Sequence, residues 1–378
     1  MDVRVSGPTA IRIIEYNGKK YIFFDDRHID NSRLCENCIE DPNCLDIIQL
    51  MENIFIKNEK HKLGTQLFLE TGFQKGKTII SKGWLGGVLG QIYNHFHDCF
   101  NKTPRCKFKN TLFHYTDIRK VFLDPPTKEG REEVLLLDTP GYIMRQIDET
   151  VTKHKEGVYN DKHIKQLIHD LYFDTSDGET LAYKIFQTCL ISDDFINDIM
   201  KLVIELPMFD NIMKEMIILR AKRGKKMVHK SRAQLLALVA EGKQDLAIKI
   251  GDFLLNGYKE ILELVKNRFL NKIMELEKID EEGLNSIYST TGTDLHTLGV
   301  LIMDSYTLPR MFRDFTTNYG YKMHTTLVYA GGFHTYIYWK FFETLGAKSI
   351  FYDEVKNESN QPMRCVNIKY EDYVKMLY

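Results

Sequence analysis

Tyr21-Ile22-Phe23-Phe24-Asp25-Asp26-Arg27-His28 is the stretch on which the fold turns. Four consecutive apolar residues leave no polar side to face water. The strand they form is therefore expected to be covered on both faces, as in a parallel sheet packed with helices. Just upstream, Ile11 to Tyr16, Asn17-Gly18 and Lys20 to Asp25 make a hairpin signal, in which Asn-Gly supplies the positive φ angles of a tight turn. Downstream, a polar loop with cysteines leads to helical periodicity over Leu45 to Ile56. A strand at Thr65 to Glu70, a Gly-rich loop, a helix from Leu89 to Phe100 and an apolar β-rich run at Thr111 to Tyr115 follow. This alternation predicts an α/β fold with a mainly parallel sheet.

The pattern changes after residue 141. Ile164 to Tyr172, Phe195 to Leu206, Ile212 to Leu219 and Leu246 to Leu276 carry apolar spacings of three and four, punctuated by Pro207 and Gly242. Strands return at Thr325 to Ala330, Lys348 to Tyr352 and Cys365 to Lys369, with a helix from Tyr336 to Leu345. The expected organisation is an N-terminal α/β part (1–141), a large helical insertion (142–290) and a C-terminal α/β part (291–378) that completes the same sheet. A separate N-terminal α/β domain followed by a helical domain is the alternative.

Composition sets outer bounds. The 378 residues are 43% hydrophobic and 27% charged, which excludes a disordered chain. Lys+Arg 51 against Asp+Glu 52 gives a net charge of -1, which argues against nucleic-acid binding by bulk charge. The basic cluster Arg220 to Arg232 is the one local exception, and a solvated helix face is its ordinary explanation. Met1-Asp2-Val3-Arg4 has no basic-then-apolar leader, and no window reaches the roughly 18 apolar residues of a membrane span. Seven cysteines are an odd number, and four of them (Cys99, Cys106, Cys189 and Cys365) are scattered without a framework spacing, so they are read as free thiols of a soluble intracellular protein.

Chemistry is expected at strand ends. Asp25-Asp26-Arg27-His28-Ile29-Asp30, Glu70, His114 through Arg119, and Ala330-Gly331-Gly332-Phe333-His334 each follow a strand, and carboxyl ends of parallel strands line the ligand crevice. Histidines and carboxylates together suit a divalent metal or acid–base catalysis. His28, Asp26, Glu70 and His334 are the candidate metal ligands, and Glu70, Asp117, Arg119 and His334 the candidate catalytic set. Gly331 and Gly332 would expose helix N-terminal amides to an anion, and Arg310, one helical turn from Arg313, would hold one by charge. The plain alternative is that strand ends are usually polar and that Gly-Gly only turns the chain.

Phe23 to His28, Phe68-Leu69-Glu70 and Val328 to His334 together resemble the superfamily that joins erythromycin esterases, ChaN-like haem-binding proteins and TraB/TIKI-type proteases. That superfamily has an early strand ending near a His, a Glu after the next strand, and a late Gly-x-x-His before a helix. The resemblance implies an α/β fold with helical insertions and, from its TIKI-type members, a metal-dependent hydrolytic site at His28, Glu70 and His334. Asp25-Asp26 stands where the family has its early Gly. His114 to Arg119 and Met303 to Phe312 also resemble uncharacterised proteins of large cytoplasmic DNA viruses, which carry no activity over.

Three rivals remain at this level. Gly72-Phe73-Gln74-Lys75-Gly76-Lys77-Thr78 with Asp138-Thr139-Pro140-Gly141 suggests a degenerate P-loop, although it is one residue short and β-prone where a helix should begin. Asp26-x-His28-x-Asp30 has the alternation of a binuclear metal hydrolase but lacks the late acidic partner motif. Cys35-x2-Cys38-x5-Cys44 offers an alternative zinc site, against the plainer reading of a surface loop with free thiols. The leading expectation is a hydrolase-like protein acting on a small molecule or peptide, with a divalent metal as cofactor and no membrane association. A non-catalytic viral structural or interaction protein that retains the fold stands beside it.

Overall fold

Asn17 and Gly18 adopt φ of 50° and 69°, so the first hairpin closes through the tight turn its Asn-Gly demands. The computed structural model describes residues 2–27, 33–74, 77–79, 86–118, 179–192, 230–277, 300–301, 303–317, 319–355 and 363–377, with isolated positions between 165 and 202. Two compact units emerge, one of residues 1–121 with 311–378 and one of residues 122–310.

The first unit holds both sheets. Strands β1 (Asp2–Ser6), β2 (Ala10–Tyr16), β3 (Lys19–Asp26), β4 (Arg33–Leu34) and β5 (Cys44–Asp46) precede helix α1 (Ile47–Lys60). Then come β6 (Gly64–Gln74), β7 (Lys77–Ile79), α2 (Val88–His95), α3 (His97–Phe100) and β8 (Thr111–Asp117). The larger sheet has the order β10-β2-β3-β9-β6-β7, with β8 also on β6, where β9 is Met323–Gly331 and β10 is Lys348–Glu354. Its centre, β3, β9, β6 and β8, is parallel, while β10, β2 and β7 pair antiparallel at the margins. The sheet is thus mixed, and early and late segments of the chain pair directly in it, Phe24 opposite Tyr329.

Cys365 to Lys369 goes elsewhere. It belongs to β11 (Met363–Lys369), which pairs with β1 and β4 in a smaller sheet of order β4-β11-β1-β5. Periodicity identifies a strand but not its neighbour, so this second sheet was not foreseen.

Both faces of the large sheet are covered, as the apolar Tyr21 to Phe24 requires. On one face Ile22, Phe24, Leu67, Leu69, Leu327 and Tyr329 join a core with α1 and α2. Helix α1 buries Ile47, Leu50, Met51, Ile54 and Phe55 at helical spacing, and a capping box of Asp46 and Gln49 starts it. On the other face Phe23 meets Tyr338 and Phe342 of a helix (Gly332–Thr344) that begins directly after β9. A final helix (Tyr370–Leu377) closes the unit.

In the second unit the described helices include Leu181–Ile191, Gln244–Val265 and Asn271–Glu275, the last two joined by a π-helical turn at Lys266–Leu270. In chain order α4 is Leu181–Ile191, α5 Gln244–Val265, α6 Asn271–Glu275, α7 Gly332–Thr344 and α8 Tyr370–Leu377. Among the described residues, no helix is long and apolar enough to cross a membrane.

Two expectations are corrected here. Cys35, Cys38 and Cys44 do not form a zinc site. Cys35 is disulfide-bonded to Cys365 and Cys38 to Cys44, and a third bond joins Cys99 to Cys106. Cys35 thus belongs with a residue 330 positions away, a partner that local CxxC spacing cannot indicate. The P-loop is the second. Lys77–Ile79 is a strand hydrogen-bonded back onto Gly72–Gln74, so no helix N-terminus begins at Lys77 to hold phosphate. Asp138 lies outside the described residues.

Candidate functional site at the strand ends

The carboxyl ends of β3, β9 and β6 are adjacent, with Asp25 opposite Ala330 and Leu69 opposite Tyr329. Along β6 the register with β8 jumps between Leu69 and Gly72, so Glu70 and Thr71 sit at a bulge. A bulge re-aims side chains and often flanks a site. Glu70 is 2% exposed, and its Oε2 accepts the backbone N–H of Gly331 at 2.8 Å. Its Oε1 lies 3.7 Å from His334 Nε2 on the first turn of α7, and the two side chains are 3% and 4% exposed. A buried carboxylate faces a buried imidazole at ion-pair distance, a separation that a bound substrate or water commonly tightens.

Asp25 and Asp26 point to opposite faces, as neighbours in a strand must. Asp25 shares the α7 face with Phe23. It receives Arg12 Nη1 on both oxygens at 2.7 and 2.6 Å and the Thr335 hydroxyl at 2.6 Å. Burial pushes the Asp25 carboxyl above its usual range, opposed by Arg12 and Thr335. The Arg12 guanidinium lies over the rings of Tyr352 and Trp339, 4.8 and 5.5 Å from their centroids. Gly332 at the start of α7 lies against Asp25, and a Cβ there would make ordinary contact with Asp25 Oδ2 at 3.4 Å.

Asp26 sits on the α1 face and is taken by Arg364 of β11, whose Nη1 also donates to the carbonyl of Gly7 at 3.1 Å. The Tyr329 hydroxyl adds bonds to Asp26 at 3.2 Å and to Gly7 at 3.3 Å. Burial, then the Asp26 charge, raises the Tyr329 phenol well above its ordinary range. The expected metal ligand Asp26 is therefore corrected: its charge is already matched by a buried guanidinium, and it faces away from the α7 side.

At the Gly331 and Gly332 turn expected to bind an anion, the Gly331 amide donates to Glu70, and the Thr335 hydroxyl in the first turn donates to Asp25. Arg310 belongs to the second unit, where it donates to Gln234 at 3.0 Å and lies over Tyr306.

Asp117 is buried at the end of β8, in register with Gly72. Its neighbour Thr116 donates to the carbonyl of Leu69 at 3.2 Å, tying β8 to the bulge. His28 and Arg119 lie outside the described residues. Among the described residues no group of three His, Cys, Asp or Glu side chains could hold a metal ion. Of the proposed ligands that lie among the described residues, Glu70 and His334 are brought together.

Sequence reasoning missed Arg12, Arg364 and Thr335. A signal existed for the first: Arg12 interrupts an otherwise apolar Ile11 to Ile14, and a charge in a covered strand calls for a buried counter-charge. Comparison with protein-family models, curated proteins and solved structures returns no match. What the fold and site define is a mixed α/β protein with a carboxylate–histidine pair at the ends of adjacent parallel strands.

Proposed function

We propose that this protein is a hydrolase-like α/β protein in which Glu70 and His334 are the acid–base pair, acting on a small-molecule or peptide substrate. One observation carries the reading. Glu70 Oε1 and His334 Nε2 face each other at 3.7 Å, both buried, where β6 and the β9–α7 turn meet. The Gly331 amide fixes one Glu70 oxygen, so the other can hold the imidazole in one tautomer. The histidine then accepts a proton from an attacking water and returns it to the leaving group. Thr335 and Arg12 position the neighbouring Asp25 and keep the first turn of α7 in place. No step passes through a metal.

The test is a panel of activated carboxylic esters, phosphate esters and fluorogenic peptides, assayed with the purified full-length protein. Turnover that falls by about 10²-fold or more in both Glu70→Gln and His334→Gln, with unfolding midpoints held, supports the reading. Turnover that persists in both variants, or no turnover anywhere on the panel, overturns it.

A second reading, a non-catalytic interaction protein that keeps the fold, is favoured by the saturation of the acids. Asp25 and Asp26 are each matched by an almost fully covered arginine. On that reading Glu70→Gln and His334→Gln change only stability.

A further inference from the structure

Six of the seven cysteines come together in three pairs, with Cα separations of 4.9, 4.9 and 4.6 Å. All three pairs lie in the first unit. Two of them close short loops, but Cys35 and Cys365 are 330 residues apart and meet only because the fold places them together. Cys35, Cys44 and Cys99 are buried. A reducing cytosol keeps such residues as thiols, whereas covered bonds of this kind persist in oxidising compartments.

We propose that this protein matures in an oxidising compartment and that Cys35–Cys365 is the covalent clasp joining the early and late parts of its chain. The co-reactant is a disulfide-bearing oxidant of the oxidised-glutathione class. A protein thiolate attacks the oxidant's S–S bond and releases one thiol, leaving a mixed disulfide. The partner cysteine's thiolate then displaces the second thiol. Each protein bond thus takes two electrons and two protons from two cysteines, and the oxidant leaves as two thiols.

The clasp has work to do at its position. Among the described residues strand β4 is two residues long and pairs with β11 at Met363 and Arg364. Cys365 sits opposite Ser6, whose hydroxyl accepts the Cys35 amide at 3.2 Å. The bond therefore fastens β4 and the following loop to β11, one residue from the Arg364 that neutralises Asp26. Oxidation state and the buried ion pair behind the strand ends are linked through one strand.

The experiment traps thiols with N-ethylmaleimide at lysis, under denaturing conditions, in full-length protein exported to the bacterial periplasm. The expected result is one adduct by intact mass, on Cys189, rising to seven after reduction, with a linked Cys35–Cys365 peptide in the non-reduced digest. Native protein treated with dithiothreitol, with complete reduction verified by labelling, is expected to melt at least ten degrees lower. The Cys35→Ser/Cys365→Ser variant is expected to remain folded and to show a smaller drop. Seven adducts on folded exported protein, other pairings, or an unchanged midpoint after full reduction would overturn the proposal.

Discussion

Replacing Arg364 with Ala strands a charge. The guanidinium is 2% exposed and the Asp26 carboxylate it neutralises is 1% exposed, so neither is rescued by solvent. Removing one partner of such a pair costs about 3–5 kcal/mol, because the remaining ion stays buried without its counter-charge. The Gly7 carbonyl also loses its Arg364 donor, although Tyr329 still reaches it. Against a total stability of about 5–15 kcal/mol for a domain, that loss is a large fraction. At roughly 2–4 °C per kcal/mol for a unit of this size, the midpoint should fall by about 6–20 °C. The assays are thermal and urea unfolding followed by far-ultraviolet circular dichroism, with the disulfides intact and, in urea, at constant m-value. The control is Asp26→Asn with Arg364→Met, which removes both charges and should recover most of the loss. A cost under about 1 kcal/mol for Arg364→Ala, or a double variant worse than the single one, would refute the reasoning.

Other expectations follow from the same packing. Gly7 has φ of 131°, and a Cβ there would lie 2.7 Å from Ile47 Cγ2, so Gly7→Ala should cost about 1–3 kcal/mol in the same unfolding assay. At the opposite end of β9, burial and the nearby Lys20 hold the His324 imidazole below its ordinary 6.5. Its folded pKa is depressed, so its contribution is complete above pH 6.5 and is lost as pH falls through the folded value. Midpoints measured from pH 7.5 to 5 should therefore decline, and His324→Gln should flatten that decline. An identical slope in both proteins would contradict it. Tyr329→Phe removes one donor to Asp26 and Gly7 and should cost about 1–2 kcal/mol by the same measurement.

The central strands were legible because their residues are apolar on both faces, a local property that sequence records directly. Tyr21 to Phe24, Thr65 to Leu69 and Leu327 to Ala330 all became covered strands. The helix Leu89 to Phe100 was legible in outline but divides into α2 and α3 at Phe96. Glu70 and His334 could be nominated because strand ends and Gly-Gly turns are positional signals, and the structure places them 3.7 Å apart. What could not be read was pairing at long range. That Arg364 would meet Asp26, and Cys365 would meet Cys35, depends on β11 leaving the large sheet for the small one. The opposite orientations of Asp25 and Asp26 were implicit in strand alternation.

The most direct test of the site is the ring tautomer of His334, read from ¹⁵N shifts of both imidazole nitrogens in the wild-type protein and in Glu70→Gln. A carboxylate facing Nε2 predicts a proton held on Nε2 in the wild type, with the tautomer ratio changed on substitution. The same single tautomer in both proteins, or a proton held on Nδ1 in the wild type, would contradict the pairing on which the proposed chemistry rests.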